Sequence, residues 1–256
     1  MISKNKIKYI HSLGIKKNRD AMNAFVAEGP KIVGDIHERY PSLLKTLVAT
    51  PIWIEKNQEI IGKGDYEIVE VDDEELRKVS FLCHPQQVLA IFEKPNADSN
   101  VPILKGKLSI ALDGVQDPGN LGTIIRIADW FGIENIICSI DTADAYSPKV
   151  IQATMGSIAR VKITYSDLNS LLEKLPSDFP IYGTLLEGKN IYGQQLSEEG
   201  VIVMGNEGKG ISPAIRKLVN KALRIPNFPE GRATADSLNV AIATAITCSE
   251  FRRRQS

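Results

Sequence analysis

The segment 201–212 has the residue types best suited to holding a ligand. An apolar, β-branched run ends at Gly205, and Asn206 and Glu207 follow inside a glycine-rich turn. Open α/β sheets bind ligands at the carboxyl ends of their strands, and glycine there permits positive φ and close approach of the main chain to a flat ligand. The glycine order, G-x-x-G-x-G late in the chain, differs from the dinucleotide pattern and disfavours a nicotinamide cofactor. An ordinary strand-to-helix turn is the simpler alternative.

A second segment, 112–126, passes from a strand into a helix through an Asp-Pro-Gly-Asn turn. We expect Asn120 to cap this helix, whose N-terminus would present free N–H groups suited to phosphate. Thr123, Arg126 and Asp129 are three residues apart and form a polar stripe on the helix. Two interpretations of Arg126 are open: it binds a substrate, or it pairs with Asp129 on a solvated helix face.

A third segment begins at Ile225 and Pro226, continues through a polar stretch at 227–236, and ends in an alanine-rich helix. Ser237 is the predicted N-cap of that helix. Asn239 is a polar amide among apolar neighbours, and a buried amide without partners costs about 1–3 kcal/mol. Asn239 therefore either contributes to a site or is satisfied by the local backbone.

Composition limits the class of protein. A formal net charge of zero excludes a uniformly basic coat for nucleic acid but permits local patches, such as 4–19 and 252–254, whose alternative interpretation is a solvated terminus. The three cysteines and three histidines lack metal-ligand spacing, so we expect no metal. Few cysteines, no signal peptide and no apolar run of membrane length predict a cytoplasmic protein without a membrane partner.

The chain divides at a polar stretch around 93–102 that carries two prolines and indicates a linker. We set the expected boundaries at 1–95 for an N-terminal domain, 96–104 for the linker and 105–256 for a C-terminal domain. Strands and helices alternate in both domains, which predicts an α/β fold with a buried parallel sheet in the second. The C-terminal strands are expected at 107–112, 135–140, 181–186, 201–204 and 222–225, and the helices at 120–131, 147–158, 167–174, 212–219 and 237–252.

Taken in order, the three segments resemble the signature blocks of the SpoU (TrmH) family of RNA ribose methyltransferases, within the SPOUT superfamily. The order is Asn-x-Gly-x-x-x-Arg, then Gly-Asn-Glu-Gly, then Ile-Pro, then Ser-Leu-Asn. In the N-terminal region, Arg19, Phe25-Val-Ala-Glu-Gly29 and Pro85-Gln86 resemble the substrate-binding domain that often precedes the family's catalytic domain. The resemblance covers nearly the whole chain, although the 227–236 stretch is longer than the usual family spacing.

This resemblance implies a small, ribosomal-protein-like α/β substrate-binding domain followed by a parallel-sheet domain with a deep trefoil knot. It implies a homodimer that uses S-adenosylmethionine, without metal, to methylate a ribose 2′-hydroxyl of RNA. The separate N-terminal domain favours rRNA over tRNA; a tRNA enzyme and a non-catalytic RNA-binding protein are the alternatives. The implied catalytic residues are Arg126, Asn120, Glu207, Ser237 and Asn239. The implied cofactor-binding residues are Thr184, Leu185, Leu186, Gly205, Asn206, Gly208, Ile225, Pro226 and Leu238.

Arginine is a poor base because its guanidinium stays protonated in proteins. Under the resemblance, Arg126 is therefore expected to bind a substrate phosphate and to stabilise the alkoxide that develops on the ribose. The protein must also align the hydroxyl in line with the methyl group.

Overall fold

The computed structural model describes residues 2–58, 61, 64–95, 104–229, 232–233 and 235–253. The chain forms two compact units, Met1–Ala97 with Asp144–Arg160, and Asp98–Ala143 with Val161–Ser256. The strands are β1 (Ala24–Glu28), β2 (Leu44–Ala49), β3 (Glu67–Glu70), β4 (Val88–Glu93), β5 (Leu108–Asp113), β6 (Asn135–Cys138), β7 (Lys162–Tyr165), β8 (Ile181–Asn190), β9 (Gly200–Gly205) and β10 (Lys221–Arg224). The α-helices are α1 (Lys4–Ser12), α2 (Lys16–Met22), α3 (Pro30–Arg39), α4 (Pro51–Lys56), α5 (Asp73–Val79), α6 (Pro118–Trp130), α7 (Pro148–Thr154), α8 (Leu168–Glu173), α9 (Pro213–Arg216) and α10 (Val240–Arg253).

The first unit is built on a four-stranded sheet in the order β1-β4-β2-β3. β4 runs antiparallel to β1 and β2, and β3 is parallel to β2. Every residue of β1 is buried, as expected for a strand covered on both faces. The core beside the sheet includes Ile10 and Leu13 from the first helical region and Leu76 and Val79 from α5.

The second unit is built on a six-stranded parallel sheet in the order β10-β8-β9-β5-β6-β7. Its central strands β5 and β9 are buried along almost their whole length because helices cover both faces of a sheet of this type. The α/β fold and the parallel sheet predicted from the sequence are confirmed. The trefoil knot stays a prediction. No helix in the described part of the chain is both long and apolar enough to cross a membrane.

The cap residues differ from the prediction in the second unit. α6 begins at Pro118, and its N-cap is Asp117, which accepts a hydrogen bond from Asn120 N at 2.8 Å. Asn120 therefore lies in the first turn and its side chain is free to reach elsewhere. α10 begins at Val240, so Ser237 is not its cap; Asn239 Oδ1 accepts from Ala241 N at 3.0 Å instead.

The N-terminal residues form α1 and α2 and are not a solvated basic tail. Arg19 is buried, and its Nη2 and Nε atoms bond to Asp144 Oδ2 at 2.6 and 3.0 Å. Lys6 pairs with Glu67, which leaves a smaller set of exposed cations than the sequence predicted. Lys4, Lys8, Lys16 and Lys17 make up that set, and Lys16 pairs with Asp20.

The C-terminal basic run is likewise engaged in structure. Arg252 Nε donates to Phe131 O at 2.7 Å, and Arg253 Nη2 lies 2.8 Å from Glu250 Oε1. The third arginine of that run lies outside the described residues. The run therefore serves first to attach the end of α10 to the turn that follows α6.

The predicted C-terminal domain differs from the compact unit by one internal segment. Residues Asp144–Arg160 belong to the first unit, where α7 packs against β1. Tyr146 contacts Phe25 with ring centroids 5.0 Å apart, and Val150 and Ile151 are buried. Of the predicted linker 96–104, only Leu104 is among the described residues, and it is buried.

Candidate active site

The candidate site lies at the carboxyl edge of the parallel sheet in the second unit. Asp113 ends β5 and pairs in register with Gly205, which ends β9. The loop after β9 and the first turn of α6 therefore start side by side. Asp113 Oδ2 accepts a hydrogen bond from Ser212 N at 2.6 Å and so attaches the far end of the 205–212 loop to β5. The sequence analysis did not identify Asp113 as a site residue. Its place as the last residue of a strand is a signal that could have identified it.

Asn206 organises the 205–212 loop from within. Its Oδ1 accepts from Gly208 N at 2.9 Å and from Lys209 N at 3.0 Å, while its Nδ2 donates to Gly114 O at 2.7 Å. Its backbone pairs with Gly210 through two bonds of 3.0 and 2.9 Å. Both polar atoms of the Asn206 side chain are thus used to build the loop.

Gly205 is required for a reason different from the predicted one. Its φ is not positive; the positive φ in this loop belongs to Gly210, at +68°. A Cβ on Gly205 would lie 2.3 Å from Gly210 C and from Ile211 N. Glycine is needed here because the loop folds back on its own main chain, which keeps the turn tight.

Three predicted residues from the three separate segments form one hydrogen-bonded chain. Asn120 Nδ2 donates to Glu207 Oε1 at 3.0 Å, and Asn239 Nδ2 donates to Asn120 Oδ1 at 2.9 Å. Each donor is an amide N–H and each acceptor is an oxygen, so the chain runs in one direction from Asn239 to Glu207. The bonds join the start of α6, the loop after β9 and the start of α10.

Arg126 is an exposed cation on the same helix as Asn120. It makes no hydrogen bond or ion pair with any residue that the structure describes, so the alternative pair with Asp129 is not formed. The rise of an α-helix places Arg126 about 9 Å along the axis from Asn120. A guanidinium in this setting keeps all its donors available for an external anion.

Ser237 is exposed and forms no hydrogen bond within the described residues, so the structure does not bring it into this polar chain.

Asp117, which the prediction passed over in favour of Asn120, is the residue that caps α6. The proline that directly follows Asp117 was the available signal, since proline is favoured at the first helical position.

The predicted cofactor residues outside the 205–212 loop lie on three further chain segments. β10 pairs with Tyr182 and Gly183 of β8 and then with Lys189 and Asn190, so residues 184–188 leave the ladder as an excursion. Gly188 allows the strand to return, since a Cβ there would lie 2.4 Å from Leu223 C. Exposed or half-buried side chains on these segments include Thr184, Leu185, Leu186, Ile225, Pro226 and Leu238.

Leu186 is 72% exposed and Leu238 is 50% exposed, which leaves apolar surface uncovered around the polar chain. Thr184 Oγ1 donates to Val203 O at 3.3 Å and so holds the start of the excursion against β9. Within the described residues no group of His, Cys, Asp or Glu side chains could hold a metal ion. A flat, partly apolar organic ligand suits such a surface.

A parallel sheet with a tight glycine loop and a hydrogen-bonded row of polar side chains at its carboxyl edge, followed by a helix with an exposed arginine, defines an α/β protein with an enzyme-type ligand site. Comparison with protein families agrees with this class. Residues 107–249 match the model described as "SpoU rRNA Methylase family", and residues 4–90 match the model described as "MRM3-like substrate binding domain". The chain belongs to the SpoU rRNA methylase family.

Relatives match along nearly their whole length. The chain is 30% identical over 249 residues to the 23S rRNA (guanosine(2553)-2′-O)-methyltransferase of Bacillus subtilis, covering 96% of each chain. A solved TrmH-family structure from Porphyromonas gingivalis is 38% identical with a TM-score of 0.85, covering 99% of each chain. The rRNA methyltransferase of Sinorhizobium meliloti, solved with S-adenosylmethionine bound, is 32% identical with a TM-score of 0.87, covering 100% of this chain and 97% of that one.

Proposed function

We propose that this protein transfers a methyl group from S-adenosylmethionine to a ribose 2′-hydroxyl of rRNA. The observation that carries the proposal is the hydrogen-bonded chain Asn239–Asn120–Glu207, together with Arg126 on the same helix as Asn120, which has no partner among the described residues. Structural roles alone explain each residue separately. They do not account for three distant segments converging on one exposed cluster.

The residues present fit S-adenosylmethionine. The 184–188 excursion and the tight loop at Gly205 form a cradle made largely of main chain. Leu186 and Leu238 supply uncovered apolar side chains of the kind that flank a purine. We assign the adenosine to this region, with Ile225 and Pro226 as further walls. The polar atoms of Asn206 are already engaged, so its role is to shape the loop.

When bound, this cofactor supplies a methyl group that the positive charge on sulfur has already activated for transfer. Arg126 grips a phosphate of the RNA with its planar fork and stabilises the negative charge that develops on the 2′-oxygen. Its guanidinium stays protonated, so it contributes charge and not basicity, and the proton of the ribose hydroxyl leaves to solvent water. Asn120 and Asn239 hold Glu207 and the loop after β9 in a fixed position relative to α6, which aligns the hydroxyl.

The first unit supports an rRNA substrate and not a tRNA. Residues 4–90 match a substrate-binding family model, and the relative that aligns along 96% of both chains is a 23S rRNA enzyme. We assign RNA binding to this unit and catalysis to the second. Since the full-length relative is bacterial and modifies rRNA, we place the protein in the cytoplasm, where ribosomes are assembled.

A homodimer is part of the proposal. α6 and α10 pack together in the second unit, and each exposes apolar side chains. Trp130 is 85% exposed and Ile242 is 53% exposed, while Ile127 and Ile246 are half-buried on the same helices. Apolar surface of this kind is typical of an interface. The occupant that we propose is a second copy of the chain, because Arg126 lies one turn before Trp130 and the site would border the interface.

Two measurements test the proposal. Calorimetry of the full-length protein with S-adenosylmethionine, in the presence of a chelator, should detect binding without metal. Transfer of a labelled methyl group to a 23S rRNA transcript should yield a ribose-methylated nucleotide. RNA binding without cofactor binding or transfer would favour the non-catalytic alternative, and transfer to tRNA alone would favour the tRNA enzyme. Light scattering should give twice the 28.2 kDa chain mass, and Trp130→Glu should reduce it to a monomer.

A further inference from the structure

Phe228 is the most exposed of the large apolar side chains that the structure describes. Its side chain is 92% exposed, although it lies only two residues after the half-buried Pro226. Burying a phenylalanine side chain is favourable by about 1.5–3 kcal/mol. A fully exposed ring does not contribute this free energy to folding. The ring is therefore available to contact a ligand outside the chain.

The loop that carries Phe228 is closed by its own hydrogen bonds. Asn227 Nδ2 donates to Arg232 O at 3.0 Å, and Arg232 N donates to Pro229 O at 3.2 Å. The prolines at 226 and 229 fix φ on either side of the short segment between them. The ring is therefore presented on a restrained backbone, which lowers the entropy lost when it contacts a ligand.

Position and surroundings restrict the kind of ligand. The loop runs from the end of β10 towards the start of α10, where Asn239 is hydrogen-bonded to Asn120. It therefore borders the proposed active site. The described chain neighbours Asn227, Arg232 and Asp236 are polar, which suits a ligand that carries polar and charged groups beside a flat face.

We infer that Phe228 stacks on an unpaired base of the RNA substrate next to the methylated ribose. The inference rests on the proposed function, since it requires RNA at this site. Sequence-specific recognition of RNA targets unpaired bases in loops and bulges, and these bases stack on aromatic side chains. Every base has a flat π-face, so a phenylalanine ring positions the nucleotide without selecting its identity. Phe228 would thus be a positioning residue for the ribose.

The test compares Phe228→Leu, which keeps an apolar side chain, with Phe228→Trp, which keeps an aromatic face. Full-length variants are assayed for methyl transfer to a 23S rRNA transcript and for S-adenosylmethionine affinity by calorimetry. Loss of one base–aromatic stack should raise KM for the RNA about 10-fold in Phe228→Leu, while Phe228→Trp should stay near wild type. Cofactor affinity should be unchanged in both variants, because the proposed contact of the ring is with a base of the RNA.

A second readout is independent of turnover. In Phe228→Trp, stacking on a base should quench the added tryptophan fluorescence when the RNA transcript binds, relative to the unmodified protein with its own two tryptophans. Equal KM values for Phe228→Leu and the unmodified protein, with no added quenching in Phe228→Trp, would overturn the inference while leaving the proposed function intact. Failure of the unmodified protein itself to bind cofactor or methylate RNA would instead remove the proposed function.

Discussion

The buried ion pair between Arg19 and Asp144 joins the two chain segments of the first unit, Met1–Ala97 and Asp144–Arg160. We therefore expect that loss of the pair lowers the free energy of unfolding of this unit. Asp144→Asn keeps the side-chain shape and removes the charge. The Arg19 side chain is only 3% exposed and that of Asp144 is 11% exposed, so little solvent can replace the lost carboxylate. Breaking a buried pair by removing one partner costs about 3–5 kcal/mol. We expect about 3 kcal/mol for Asp144→Asn, because the asparagine oxygen still accepts one hydrogen bond.

A double-mutant cycle separates the free energy of the ion pair from the free energy of side-chain packing. Arg19→Met removes the cation and retains most of the buried apolar stem, although it also loses the bond from Nη1 to Leu13 O at 2.7 Å. If the pair acts as a unit, Arg19→Met with Asp144→Asn should cost less than the sum of the single changes by more than about 1 kcal/mol. Lys16→Met, which removes an exposed pair with Asp20, is the matched control and should cost less than about 1 kcal/mol.

Tryptophan fluorescence in urea measures this effect in the first unit. Trp53 is buried in α4, and a Trp130→Phe background leaves it as the sole reporter of the two tryptophans. With a denaturant slope of about 1–3 kcal/mol per molar, the Asp144→Asn midpoint should fall by about 1–3 M. A midpoint shift below about 0.3 M, or strictly additive single changes, would refute the reasoning.

The other predictions concern the active site and the thiols. Arg126→Ala should cut turnover roughly 100- to 1,000-fold with cofactor affinity nearly unchanged, and Arg126→Lys should restore little because an ammonium lacks the planar fork; near-normal turnover on the RNA transcript would contradict this. Gly205→Ala should abolish cofactor binding in calorimetry, since its Cβ would meet loop main chain at 2.3 Å, whereas Gly193→Ala, with open space around it, should bind normally. At pH 8 a disulfide reagent should label exposed Cys83 well before Cys248, because burial raises the pKa of the Cys248 thiol to about 12 and keeps it neutral; equal rates would show that α10 opens readily.

Local signals in the sequence predicted the four inner strands and the β10 edge strand of the six-stranded sheet, but not the β7 edge strand. β5 and β9 are continuous apolar runs between turn residues, and their positions follow from that pattern. β7, which the prediction missed, is a four-residue edge strand with no buried residue, so its Lys-Ile-Thr-Tyr sequence shows no strong burial pattern. α1 and α2 were missed because their lysines suggested a solvated terminus.

The spacing of residues in the sequence could not predict which residues far apart in the chain contact each other. Arg19 and Asp144 are 125 residues apart, and the carboxylate that neutralises this arginine is not marked by any nearby motif. The same holds for the assignment of 144–160 to the first unit. Removal of residues 1–95 would strip α7 of the strand it packs against, so such a truncation tests the integrity of the fold as well as RNA binding. Point changes at exposed lysines are the cleaner probe of the RNA surface.

Asn239 shows that a structural and a functional interpretation of one side chain need not compete. Its Oδ1 caps α10 through Ala241 N and Ile242 N, and its Nδ2 reaches Asn120, 119 residues away. Asn239→Ser keeps a cap acceptor but lacks the amide donor, whereas Asn239→Ala loses both. We expect both variants to lose turnover and only Asn239→Ala to lose about 1 kcal/mol of stability. If Asn239→Ser kept full activity on RNA, the bond to Asn120 would be incidental, and the convergence of the three segments would reflect capping alone.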